Sequence, residues 1–163
     1  MRSTMAAAAA LALAACATAP PAPAYPEAAV FDVSEDAMAD VEAALARADA
    51  SGKRVLLVMG ANWCHDSRAL AGWLESPRIG KLVAERYELV FVNIGMPQTG
   101  DGHNLAVARR FGLDELPGTP NLLVLTADGT LINAKTATTW RNTSSRSEAA
   151  IFAELERLAE VEA

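Results

Sequence analysis

The chain has 163 residues, 52% of them hydrophobic, and its 14 Lys and Arg against 20 Asp and Glu give a formal charge of −6. This length and apolar content suit one domain plus extensions, able to bury about two-thirds of its unfolded surface without disulfides. An acidic chain with no basic run and no aromatic–basic interleaving argues against a nucleic-acid partner.

Residues 1–15 carry the pattern of a targeting segment. Arg2 supplies a thin positive start, and Met5 to Ala14 is apolar but too short to span a bilayer as a stable helix. Leu13-Ala14-Ala15-Cys16 resembles the bacterial lipobox, whose cysteine is acylated and becomes the new N-terminus; the alternative is an ordinary signal peptide cleaved near an Ala-x-Ala site. Ala17, not Asp, follows the cysteine, which points to the outer membrane of a Gram-negative envelope. Pro20, Pro21, Pro23 and Pro26 among alanines make an extended tether. Ten such residues at ~3 Å each would hold a domain roughly 30 Å from a membrane. The expected organisation is a signal peptide over 1–15, a lipidated Cys16 with its tether over 16–27, and a domain over 28–163. Acylation of Cys16 would rule out a Cys16–Cys64 disulfide and leave Cys64 as the sole thiol.

Ser34 is a candidate N-cap, with Glu35 and Asp36 in the first turn. Ala37, Met38, Val41, Ala44, Leu45 and Ala48 then recur at helical spacing, and Ser51-Gly52 ends the helix. Val55 to Met59 is a short apolar run of the kind found in strands buried on both faces. Gly60, Ala61 and Asn62 break it, and a helix follows with Leu70, Trp73 and Leu74 on one side. Ser76-Pro77 restarts a helix whose inner face is Ile79, Leu82, Val83 and Tyr87. Leu89 to Ile94 reads as the next strand, and Met96 to His103 as a glycine-containing loop. Within it Thr99 to Gly102 resembles a phosphate cradle only superficially, since no Gly-Lys-Ser/Thr follows; it is read as a surface turn. Asn104 to Phe111 is a short helix stopped by Gly112. The apolar run Leu122 to Leu125, a turn at Asp128-Gly129, a further strand and an amphipathic C-terminal helix complete the chain. Trp140 is expected to serve packing.

Cys64 falls where the buried strand hands over to a helix, and the free amides of a first helical turn favour a thiolate over a thiol. His65, as a cation, would add to this; the alternative is an exposed turn residue with no role. Asp66 would oppose it by repulsion, but is itself favourable at a helix start and can swing into water. Ser67, one turn along, either hydrogen-bonds the sulfur or is a passive placeholder. A cysteine-protease pair does not suit adjacent residues on one helix start. His65, His103 and Cys64 lack ligand spacing, so no metal and no cofactor is expected.

Two segments together resemble the thioredoxin-like family. One is the buried strand followed by Ala61-Asn62-Trp63-Cys64-His65-Asp66-Ser67 and a helix; the other is Gly118-Thr119-Pro120 leading into an apolar strand. The likeness runs from Val55 to Leu158. It implies an α/β thioredoxin-like fold, a central mixed β-sheet flanked by helices, here with an extra N-terminal helix. It also implies a cis Pro120 facing Cys64, with Trp63, Thr119 and Pro120 shaping a substrate groove. Three positions depart from the dithiol members: Ser67 replaces the resolving cysteine, Val58 the buried aspartate, and Phe91 the lysine that approaches that aspartate. Monothiol glutaredoxins share Cys-x-x-Ser and use glutathione and iron–sulfur clusters, but lack the tryptophan before the cysteine and the export signal seen here. The resemblance implies a monothiol thiol–disulfide oxidoreductase or isomerase of the cell envelope. Cys64 would form mixed disulfides, with protein or small-molecule thiols and disulfides as partners and the membrane reached through Cys16. The alternative is a non-catalytic binding module that keeps the groove.

Overall fold

The computed structural model describes residues 25–32 and 36–161. The signal segment, Cys16, the tether as far as residue 24, and Ser34 lie outside the described residues. Helix α1 spans Ala37–Ser51, and its cap is Asp36, whose carboxylate accepts the Ala39 N–H at 2.9 Å. At the other end Gly52 takes the left-handed conformation, φ 71°, that a side chain would strain, and its N–H closes on Ala48 O.

Strand β1, Arg54–Gly60, is central. It pairs in parallel with β2, Tyr87–Asn93, and antiparallel with β5, Asn121–Leu125, giving the order β2-β1-β5. The sheet is therefore mixed, as expected. Alternation along β1 divides the core. Val55, Leu57 and Met59 meet α1 and helix α4, Leu105–Arg110. Leu56 and Val58 face the opposite layer: helices α2, His65–Glu75, α3, Pro77–Arg86, and α5, Glu148–Glu160, together with Phe31 and Trp140. Trp140 is fully buried with the Arg146 guanidinium 4.3 Å over its ring, a packing role as read from the sequence.

Three local expectations are corrected. Tyr87, placed on the inner face of α3, instead opens β2: its N–H still closes on Val83 O, but its own backbone is extended. Its ring stays in the same apolar layer, and its hydroxyl donates to Leu155 O at 2.5 Å. The loop after β2 contains a two-residue hairpin, β3 Gly95–Met96 with β4 Asp101–Gly102, joined by a 3-10 turn at Pro97–Thr99. The strand expected after Asp128-Gly129 is reduced to a single bridge, Leu125 to Leu131. Asn133 takes its place on β5. Its carboxamide accepts the Val124 N–H at 2.8 Å and donates to Leu122 O at 2.9 Å, while Ala137 O receives the Leu122 N–H. Backbone groups of the strand edge are thus met without a ladder.

Residues 25–32 lie across α2. Glu27, assigned by composition to the tether, reaches the Arg68 guanidinium at 3.3 Å, and the Ala28 N–H donates to Arg68 O. A Cβ on Gly72 would come within 2.6 Å of the Pro26 backbone, so glycine is what permits this close crossing.

Candidate active site

The site lies at the carboxyl end of β1, where Gly60 gives way to α2. Cys64 is the N-cap residue of α2, with φ −87° and ψ 120°, and only 8% of it is exposed. Its thiol donates to the Thr119 carbonyl oxygen at 3.5 Å. The bond from Thr119 to Pro120 is cis, and Gly118, Thr119 and Pro120 are all buried. The two segments singled out in the sequence, some 55 residues apart, therefore meet at the sulfur. Asn121 ties the loop to itself by donating to Gly118 O at 2.7 Å.

The motif's other members take different environments. Trp63 is 51% exposed, and its indole N–H donates to Gly95 O at 3.0 Å, anchoring the ring on the β3–β4 hairpin. His65 is exposed and its Nε2 lies 3.2 Å from Asp66 Oδ2. Asp66 does not swing into water. It is buried, because α2 starts beside the 3-10 turn Thr143–Ser145 and the carboxylate accepts the Ser144 N–H there at 2.7 Å. Ser67 is fully buried and, among the described residues, its hydroxyl has no hydrogen-bond partner. Of the two roles read for Ser67, the hydrogen bond to Cys64 is not formed, since the thiol is turned toward the Pro120 loop. Ser67 Oγ lies over the end of β1 instead. A Cβ at Gly60 would sit 2.7 Å from the Phe31 ring and 2.8 Å from that hydroxyl, so glycine lets both close over the strand.

The departures noted in the sequence come together. Val58 and Phe91 are register partners across β1 and β2, and Phe31 meets Phe91 edge-on at 5.3 Å. An apolar cluster of Phe31, Val58, Leu70 and Phe91 occupies this layer.

Sequence reasoning missed the clamp behind the cysteine. Asn62, read only as a strand breaker, accepts the Phe31 N–H at 3.0 Å and donates to Phe31 O at 3.1 Å. Asn93 donates to the same carbonyl at 2.9 Å. Arg68 donates to Asn62 O at 2.8 Å while its other edge meets Glu27. No spacing rule pairs residues 31 positions apart; the one available hint is an asparagine two residues before the motif cysteine.

The comparisons with known proteins agree with this geometry. A family model described as thioredoxin-like matches residues 36–127. The chain is similar to the disulphide isomerase from Xylella fastidiosa Temecula1, at 30% identity and a TM-score of 0.71 over 82% of this chain and 100% of that one. It shares the fold of a thioredoxin from Thermus thermophilus, at 21% identity and a TM-score of 0.51 over 72% of this chain and 82% of that one. No curated protein matches. With more than half its length covered by the family model, the chain belongs to the thioredoxin-like family.

Proposed function

We propose that this protein is a monothiol thiol–disulfide exchange protein of the bacterial cell envelope, with Cys64 as nucleophile. The observation that carries the reading is the sulfur of Cys64 at the first turn of α2, 3.5 Å from the carbonyl that precedes Pro120, with Ser67 at the position of a resolving thiol. The likeness to a disulphide isomerase supports exchange chemistry. Cys64 attacks a substrate disulfide, one sulfur leaves as a thiolate that takes up a proton, and Cys64 stays bound to the other. Release needs a thiol from the substrate itself or from a small molecule, so isomerisation or removal of a thiol cap fits better than net oxidation or reduction. Trp63, Thr119 and Pro120 would shape the groove, His65 would assist the sulfur, Ser67 would fill the resolving position without a second thiol, and an acylated Cys16 would hold the domain at a membrane, the outer one by the residue that follows it.

The second reading, a binding module without turnover, is favoured by Val58 and Phe91, which put apolar side chains where dithiol members carry the buried aspartate and its lysine. Turnover of a glutathionylated peptide with excess thiol separates the two. Multiple turnovers lost in Cys64→Ser support exchange; a stoichiometric adduct or none supports the module. Location is checked with radiolabelled fatty acid, which should enter the wild type and not Cys16→Ser; label in both or neither rejects the anchor.

A further inference from the structure

The geometry points to Arg141 as a substrate-recognition residue that reads a carboxylate on the thiol or disulfide partner of Cys64. The assignment rests on the exchange reading above and names the chemistry of its substrate.

Arg141 follows Trp140, a fully buried anchor, so its backbone is fixed while its side chain is exposed. The side chain runs back over the Pro120 loop. Its Cδ lies 2.5 Å from the place a Cβ on Gly118 would occupy, and its Nη1 donates to Pro117 O at 3.4 Å. Gly118 thus leaves the space in which the arginine stem lies. One residue further on is Thr119, whose carbonyl receives the Cys64 thiol. A guanidinium is therefore held on the same loop that faces the nucleophile.

The guanidinium carries five N–H donors, and the one bond the structure gives it is long. Among the described residues Arg141 forms no ion pair, whereas Arg68 and Arg146 are each paired with a carboxylate. Asp114 and Glu115, on the approach to the loop, form no ion pair with it. A planar fork with open donors suits a carboxylate, which it can take in a bidentate manner. Two sources carry one close to a disulfide: a glutathione-type small thiol, and a peptide with an acidic residue beside its cysteine. The chain as a whole carries −6, so its long-range field repels such partners. A preference for them has to come from a local cation.

The test measures second-order rates of mixed-disulfide formation on Cys64 by mass spectrometry, at low ionic strength. The reagents are oxidised glutathione, its ester with capped carboxylates, and two peptide disulfides flanked by Glu or by Gln. Iodoacetamide labelling reports the accessibility of Cys64. The wild type should react about tenfold faster with the carboxylate-bearing member of a pair, the size of one charge-assisted contact at a partly wet site. Arg141→Gln should abolish the ratio, Arg141→Lys should keep part of it, and salt should shrink it. A preference within the glutathione pair alone identifies a small thiol, and one within the peptide pair an acidic peptide. Equal rates in the wild type, or a ratio unchanged in Arg141→Gln, overturn Arg141 and leave exchange standing. No adduct with any reagent while iodoacetamide labels Cys64 overturns both.

Discussion

Val58 and Phe91 stand opposite each other in the parallel register of β1 and β2. In dithiol members of the family these positions carry an aspartate and a lysine, and the aspartate helps take the proton of the resolving thiol. Here the pair is apolar, and the Phe31 ring closes on Phe91 beside it. Ser67 lies close by, its hydroxyl without a partner among the described residues. The loss of the second thiol and the loss of its proton acceptor therefore belong to one site.

Restoring the thiol alone should consequently not restore the dithiol cycle. Ser67→Cys is expected to form a disulfide with Cys64, one helical turn away, yet to reduce insulin on the order of 10²-fold more slowly than a dithiol thioredoxin, the usual worth of a positioned base. Insulin reduction at matching rates would refute the role given to Val58.

Asn62 joins the loop bearing Cys64 to the backbone of Phe31 through two hydrogen bonds. Asn62→Ala removes both bonds at once: the part-buried Phe31 N–H loses its partner, and the carbonyl is left with Asn93 alone. A loss of about 1–3 kcal/mol in urea unfolding is expected. Iodoacetamide should also label Cys64 faster, because the loop is freed from the segment beneath it. Unchanged labelling with the stability loss would separate the clamp from the site.

Asn133 meets two backbone groups of β5 on the edge away from β1, where only a single bridge stands in place of a strand. Asn133→Ala exposes an edge whose N–H and C=O are buried, so it should cost about 2–4 kcal/mol and promote association through the unpaired strand. Urea unfolding gives the first effect and light scattering the second; a variant as stable and monodisperse as the wild type would show that the irregular segment itself covers the edge.

Tyr87 gives the fold an alkaline limit. Burial pushes its phenol well above the ordinary tyrosine range, and the nearby Arg54, Arg86 and Arg157 only partly oppose this. The folded chain holds this proton more tightly than the unfolded chain. Its contribution to stability is therefore whole below about pH 10, the unfolded tyrosine value, and is lost as pH rises beyond it. The chain has two tyrosines, so Tyr25→Phe leaves Tyr87 alone to be followed by phenolate absorbance. Phenolate should appear only together with loss of ellipticity. Reversible ionisation near pH 10 in a folded chain would contradict the burial argument.

Features set by a few neighbouring residues were legible in the amino-acid order. The apolar run of β1 specified a strand buried on both faces. Gly52 marked a helix end, Ser76-Pro77 a helix start, and the passage from Gly60 to Ser67 a cysteine at a strand-to-helix junction. Hydrogen-bond periodicity and backbone preference act over that range, so spacing reveals them. The tertiary structure alone decided which distant group each polar side chain meets. Asp66 is buried because the Ser144 N–H, 78 residues on, lies beside the first turn of α2. Asn133 displaces a strand that the pattern after Asp128-Gly129 suggested equally well, and Asn62 clamps Phe31 across 31 residues. Arg141 lies on Gly118 because Trp140 is buried next to it. These pairings follow from how two helical layers pack on one sheet, and packing brings together residues whose separation along the chain carries no period.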